Sequence, residues 1–532
     1  TMLLTQSNLM TSENLLGNSI AKANAEAGID ATVAALRASY LSSGTIPSSL
    51  AHAPSTSLPG GVMAYELASP GGYVPNGDGT AVLRIVGRGP RSAEHVSEAL
   101  IVFDPGGESG GGSPFQGAVI GCEAVTVLGS GNFDSYDSRL GKYATQTPRS
   151  GAHVRTIEPG ARVELKGSTP ISGSVSSTGT VTVASSALVD GDINASGQVT
   201  ISLPATIAGD IRTTGNVDVT NTATIAGSVS SNGSITFTNN SRVGGNAYAG
   251  GNIRFTNGGT VAGNATSAGT VTGVTWTTNV LGTTYQNAGP VNNLPVPTEE
   301  CDPVGIEAVV ASYSGVESSP ALSVSGATQN WEISPTGIRQ SSGPGGVVAK
   351  PQYVAHDVTL FGQATKMIRL PSVSISGSAS LSVAGGHVVL LVDGDFSYLG
   401  GGSGFRIAEG SSLTILAKGK VHMGSSQSTI TGSGLPPINI YSTYRNTGND
   451  PWNWNAGVKV DGAGSLDASV YAPFADVNVN GSGQLYGAVR GRVVNVNGHA
   501  DTHFDEALAE ASLGGGSTGP SGEASVLISS RR

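Results

Sequence analysis

The sequence is poor in charge, aromatic rings and cysteine. Of 532 residues, 12% are charged and 5% aromatic, and cysteine occurs twice. A core with few rings must be assembled from Val, Ile, Leu and Ala, which suits a β-rich chain. The net charge of −10 is spread thinly, and no run of Lys or Arg offers the basic stripe that nucleic acid requires, so nucleic-acid binding is not expected. No apolar stretch reaches the roughly 18 residues that read as a membrane span, the densest being 388–392. Any membrane link would run through a hydrophobic segment absent upstream of Thr1. Cys122 and Cys301 lie outside CxxC spacing, which argues against zinc or a thioredoxin-type motif. Two readings stay open for them: one disulfide, or two unpaired buried thiols. No Walker loop or HExxH is present, and no cofactor, metal or catalytic residue is expected.

What is abundant is glycine, with 78 residues, alongside Ser, Thr and Asn. That composition suits an extracellular bacterial surface protein better than a cytosolic enzyme. The glycines are periodic. Six eighteen-residue copies start at Ile171, Val189, Ile207, Ile225, Val243 and Val261. The third residue of each copy is Gly (Gly173, Gly191, Gly209, Gly227, Gly245, Gly263), and so is the ninth (Gly179, Gly197, Gly215, Gly233, Gly251, Gly269). The eleventh is β-branched throughout: Val181, Val199, Val217, Ile235, Ile253 and Val271. Alternating β-branched residues broken by glycine describe one coil of a β-solenoid per copy, with glycine supplying positive φ or a tight corner. A looser coil pattern returns later: VDGDF and AKGKV are 25 residues apart, and VNVNG at 477–481 recurs at 494–498.

Elsewhere, Leu9, Leu16, Ile20, Ala23, Ala27 and Val33 recur mostly three or four apart, predicting a long N-terminal helix that ends near Ser42. Short alternating runs between 60 and 105, separated by turn residues, predict a small antiparallel sheet. The expected organisation is a helix over 1–43, a small β domain and Gly-rich linker over 44–116, and a solenoid over 117–290. A Pro/Gly-rich connection with a short helix over 291–350, a second solenoid-like domain over 351–510 and a flexible tail over 511–532 complete it. The fold class is mainly β, with a long N-terminal α-helix, a small β-sheet domain and two β-solenoid regions.

The helix segment carries Asn18, Ala23, Ala25, Glu26, Ala27 and Gly28 in a pattern that resembles the N-terminal region of PilX-type pilus assembly proteins. The run GSGNFDSYDSRLGKY at 129–143 resembles the entry to the repetitive domain of such proteins, and VVLLVDGDFSYLGGG and THFDEAL resemble an uncharacterised domain that recurs in them. The coils resemble bactofilins in length and hydrophobic rhythm. The resemblance implies a pilin-like helix that inserts into a filament through Leu9, Leu16, Ile20, Ala23, Glu26, Ala27 and Val33. The upstream processing site is expected to lie outside this sequence.

Three clusters invite chemistry. Asp192 and Asp210, at the fourth position of adjacent coils, stand at the spacing of a glycosidase pair, although a solvated corner is the preferred reading. His499 and His503, with Asp501 and Asp505, have metal-like spacing but fit a final coil and cap. Trp452 and Trp454, in a turn-rich loop, are candidate contacts for a sugar ring or partner. The expected function is a non-enzymatic subunit at the bacterial cell surface, part of a type IV pilus or related filament. Its expected partners are subunits of the same or related type, with a surface glycan or a host or abiotic surface beyond them. A self-polymerising solenoid and a solenoid carbohydrate-active enzyme are the alternatives.

Overall fold

The computed structural model describes residues 18, 20–29, 31–33, 35–36, 50, 64–69, 72–75, 80–104, 113–273, 279–325, 329–342, 347–400, 404–424, 428–430, 435–446, 455–462, 464–511 and 525–531. The chain divides into two compact units, Thr1–Gly110 with Gly515–Arg532, and Gly111–Gly514.

The smaller unit is an antiparallel sheet with a helix on one face. Tyr65–Leu67, Thr80–Arg88, Glu94–Asp104 and Ser525–Arg531 pair in that order, and Tyr73–Pro75 also pairs with Thr80–Arg88. The chain's end thus contributes a strand to this sheet. The expected long N-terminal helix is corrected: among the described residues, helix runs essentially over 20–33. Ala21, Ala25, Ile29 and Leu36 are buried, whereas Ala23, Glu26 and Ala27 are exposed and Ile20 and Val33 half-buried. Ala25 and Ile29 join Leu83, Ile85 and Ile101 in one apolar cluster. Small residues decide which face docks, because a Cβ on Gly87 would lie 2.2 Å from the Ala25 nitrogen. Leu9 and Leu16 lie outside the described residues.

In the larger unit each eighteen-residue copy folds as one coil with three short strands, as in Val175–Ser177, Val181–Val183 and Leu188–Val189. Every coil pairs in parallel with the next, so the eleventh residues form a row from Val181 to Val271. That row does not stop at the repeat. It continues from Val181 through Val163, Val125, Val494, Val477, Val458, Val421, Phe396 and Val373 to Leu322. The two predicted solenoid regions are therefore one continuous solenoid, in which the later segment of the chain stacks ahead of the earlier one. Its fifteen residues in register span about 67 Å at ~4.8 Å per step.

This order requires the chain to return along the rod. Residues 290–300 do so as a strap bonded to the outside of the coils. Asn293 exchanges hydrogen bonds with Asn232, Val296 N–H donates to Ser196 Oγ, and Glu299 N–H donates to the Ile157 carbonyl. Successive contacts are three residues and two coils apart. Three extended residues cover about 9–10 Å and two coils cover the same distance, so the strap lies nearly straight.

The glycines have a different cause from the one expected. None of the twelve at the third and ninth positions has positive φ. They admit close approach instead: a Cβ on Gly209 would lie 2.4 Å from Asp192 Oδ1 and 2.5 Å from the Gly191 carbonyl oxygen. The left-handed corner falls at the fifteenth position, on Ser185, Leu203, Asn221, Asn239 and Asn257 (φ 52–80°), where Asn tolerates αL best after Gly. Gly209→Ala is expected to destabilise the larger unit by about 1–3 kcal/mol, read as a shift of its denaturant midpoint, because backbone rather than a mobile side chain must move.

Neither end of the rod simply repeats the coil. At one end the hairpin His356–Leu360 and Gln363–Leu370 lies antiparallel beside the first coils, as do the antiparallel strands Gln329–Ser334, Gly337–Ser342 and Val347–Lys350. At the other, Val271 N–H donates to the Gln286 side-chain oxygen instead of to a further coil. Residues 274–278 lie outside the described residues.

Candidate functional site

The fourth position of each coil is a ladder. Asp192 Oδ1 accepts the Asp210 N–H at 2.7 Å, Asp210 Oδ1 accepts the Ser228 N–H at 2.8 Å, and Ser228, Asn246 and Asn264 continue the series. Arg212 bonds both carboxylates, at 3.2 Å and 2.7 Å. The pair with glycosidase spacing is thus committed to holding coil to coil. The tenth position repeats the device through Asn216, Ser234 and Asn252. The motif VDGDF follows the same rule, with Asp395 Oδ1 accepting the Lys420 N–H at 2.8 Å.

The histidines are not brought together. His499 is exposed, whereas His503 is buried with Nδ1 2.6 Å from Asp134 Oδ1. Asp501 accepts the Asn132 N–H, and Asp505 accepts those of Ser138 and Ala507. Burial raises the Asp505 carboxyl above its ordinary range. Among the described residues, the only three potential metal donors that converge are Cys122, Glu158 and Cys301. The two sulfurs there are bonded to each other. Trp452 and Trp454 lie outside the described residues.

These contacts belong to the seam where the two chain segments meet. Gln484–Val496 pairs with Val119–Val127, and Asp501–Asp505 with Phe133–Tyr136. The run 129–143 and the run THFDEAL, 370 residues apart in sequence, are therefore neighbours in space. Arg490 is 2% exposed and donates to the carbonyls of Pro114, Glu300 and Cys301. The Cys122–Cys301 disulfide secures the end of the strap beside it. Sequence reasoning passed over Arg490; its one available signal was an Arg-Gly-Arg triplet in a charge-poor strand.

A second feature had no linear signal. A cleft of about 490 Å³ opens on the face formed by Gln363–Leu370, His387–Val392, Ser412–Ala417, Ile438–Ser442 and Ser465–Ala472. Thr414, Asn439 and Ser469 stand side by side in adjacent coils along it, and Ser469 Oγ donates to Asn439 Oδ1 at 2.7 Å. The Phe361 and Tyr441 rings face each other there at 5.3 Å between centroids. His387 lies at one side with Nδ1 2.6 Å from Ser412 Oγ, and burial pulls its imidazole below the ordinary histidine value.

Fold and site together define a parallel β-solenoid protein. Residues 371–511 match the model of a domain of unknown function, DUF7305, which covers the later chain segment and the seam strands it supplies. No curated protein matches the chain. Among solved structures, the tapirin C-terminal domain of Caldicellulosiruptor kristjanssonii is similar at 12% identity and TM-score 0.30, covering 76% of this chain and 95% of that one. The competence-associated pilin ComZ of Thermus thermophilus is similar at 11% identity and TM-score 0.18, covering 97% of each chain. Likeness at these scores does not define a shared fold, and none of the matches supports the PilX-type or bactofilin resemblance in particular.

Proposed function

We propose that the chain is a non-enzymatic structural subunit of the bacterial cell surface, a component of a type IV pilus or related filament that serves assembly or adhesion. The observation that carries this reading is the Cys122–Cys301 disulfide at the seam of a stiff rod. Disulfides persist in oxidising compartments, outside the cytosol. A rod whose polar side chains are spent on coil-to-coil ladders is built for extension and mechanical constancy. The non-repeating elements at each end weigh against the self-polymerising alternative, since stacking end to end needs open coils. The commitment of Asp192 and Asp210 to the ladder weighs against the enzymatic one.

The test is immunogold electron microscopy of intact cells of the producing bacterium, with antibody raised against residues 111–514. Label on extracellular filaments is the expected result. Label confined to the cytosol of sectioned cells overturns the proposal.

A further inference from the structure

We infer that the cleft between Phe361 and the Thr414–Asn439–Ser469 row is a binding site for a short, neutral oligosaccharide. The inference does not depend on the chain being carried on a filament.

Backbone strain marks one side of the cleft. Phe361 has φ 49° and is followed by Gly362 at φ 77°, both in the two-residue turn between His356–Leu360 and Gln363–Leu370. Such a turn favours Asn-Gly, and a bulky aromatic residue in the left-handed region is an outlier. Strain of this kind persists where the surroundings over-determine it, and it clusters at ligand clamps. Here it places an aromatic ring at the cleft, facing Tyr441.

The lining restricts the chemistry of a ligand. It contains no Lys or Arg among the described residues, and one carboxylate, Glu409. An ordinary imidazole is already mostly uncharged at neutral pH, and His387 is shifted further in that direction. Nothing there would neutralise a phosphate, a sulfate or a uronate. A wholly apolar ligand would strip water from the half-buried Asn439 amide, which the nearly buried Thr414 and Ser469 flank, without replacing its hydrogen bonds. What remains is a neutral ligand with hydroxyl groups on its edges and an apolar face for the half-buried Phe361 ring, which is the description of a pyranose.

The shape of the cleft limits the ligand further. The cleft crosses five consecutive strands, about 19 Å at the ~4.8 Å strand spacing, and its volume lies within the usual range for small-ligand sites. An elongated ligand of a few rings fits this better than a single sugar.

The experiment is titration calorimetry of the full chain with neutral tetrasaccharides of glucose (α- and β-linked), xylose and N-acetylglucosamine, and with a uronate-containing tetrasaccharide. At least one neutral tetrasaccharide is expected to bind, and the uronate is not. Phe361→Asn suits the turn and removes the ring, so it is expected to keep the wild-type melting temperature while weakening binding at least tenfold. Thr414→Val, of nearly unchanged volume, is expected to weaken it severalfold. Failure of every neutral tetrasaccharide to bind at millimolar concentration overturns the inference. So does preferred binding of the uronate, or neutral binding that both folded variants leave unchanged.

Discussion

Reducing the Cys122–Cys301 bond is expected to lower the stability of the larger unit by about 3–5 kcal/mol. The bond joins residues 179 apart, and the loop it closes contains all six repeat coils and the strap. Loop-closure entropy removed from the unfolded chain grows with the logarithm of loop length, so a loop of this size sits near the upper end of what a disulfide supplies. Cys122 is buried in an apolar pocket with Ile120 and Ile157, and Cys301 is half-buried against it. Equilibrium denaturation of the oxidised chain and of a Cys122→Ala/Cys301→Ala double variant measures the effect directly. A difference under about 1 kcal/mol would show that seam and strap hold the unit without the staple.

The second large effect is expected at Arg490. Its guanidinium lies in the protein interior and serves three backbone carbonyls, those of Pro114, Glu300 and Cys301. Arg490→Met fills a similar volume but leaves those acceptors dry and unpaired, at an expected total cost of about 3–5 kcal/mol. Arg490→Lys supplies a point charge in place of a planar fork and should recover only part of it. Both are read by the same denaturation. Arg490 and the disulfide hold the same strap end, so combining Arg490→Met with the disulfide-free variant should cost less than the sum of the two. Strict additivity would mean that they act on separate elements.

The coil was legible because its causes are local. Val181, Val199 and Val217 recur at one spacing since each must fill the same triangular core, and the ninth-position glycines recur since each backbone must pass close over the next. The order of the coils was not legible. Nothing in residues 477–496 distinguishes a coil that ends a solenoid from one whose free edge accepts Val119–Val127. That choice is made by edge complementarity between segments hundreds of residues apart. The strap read as a Pro/Gly-rich connection, because its bonds go to side chains such as Ser196 and Asn232, which were indistinguishable from other exposed polar residues. The N-terminal helix was expected to be longer than the described one. Its three-to-four spacing was real, but periodicity alone does not tell which of two small-residue faces a sheet glycine such as Gly87 will admit. The cleft gathers residues from five coils of unequal length, so no single window contains it.

The strap also restricts how this gene can change. Tandem repeats ordinarily gain and lose copies freely, because each unit leans only on its neighbours. Here Asn293, Val296 and Glu299 keep step with the coils they cross, three residues for every two coils. A single duplicated coil would leave the strap too short by one and a half residues, a length the chain does not possess. Copy number can rise without slack only in pairs, each matched by three inserted strap residues, so the rod's length is counted twice in the same polypeptide.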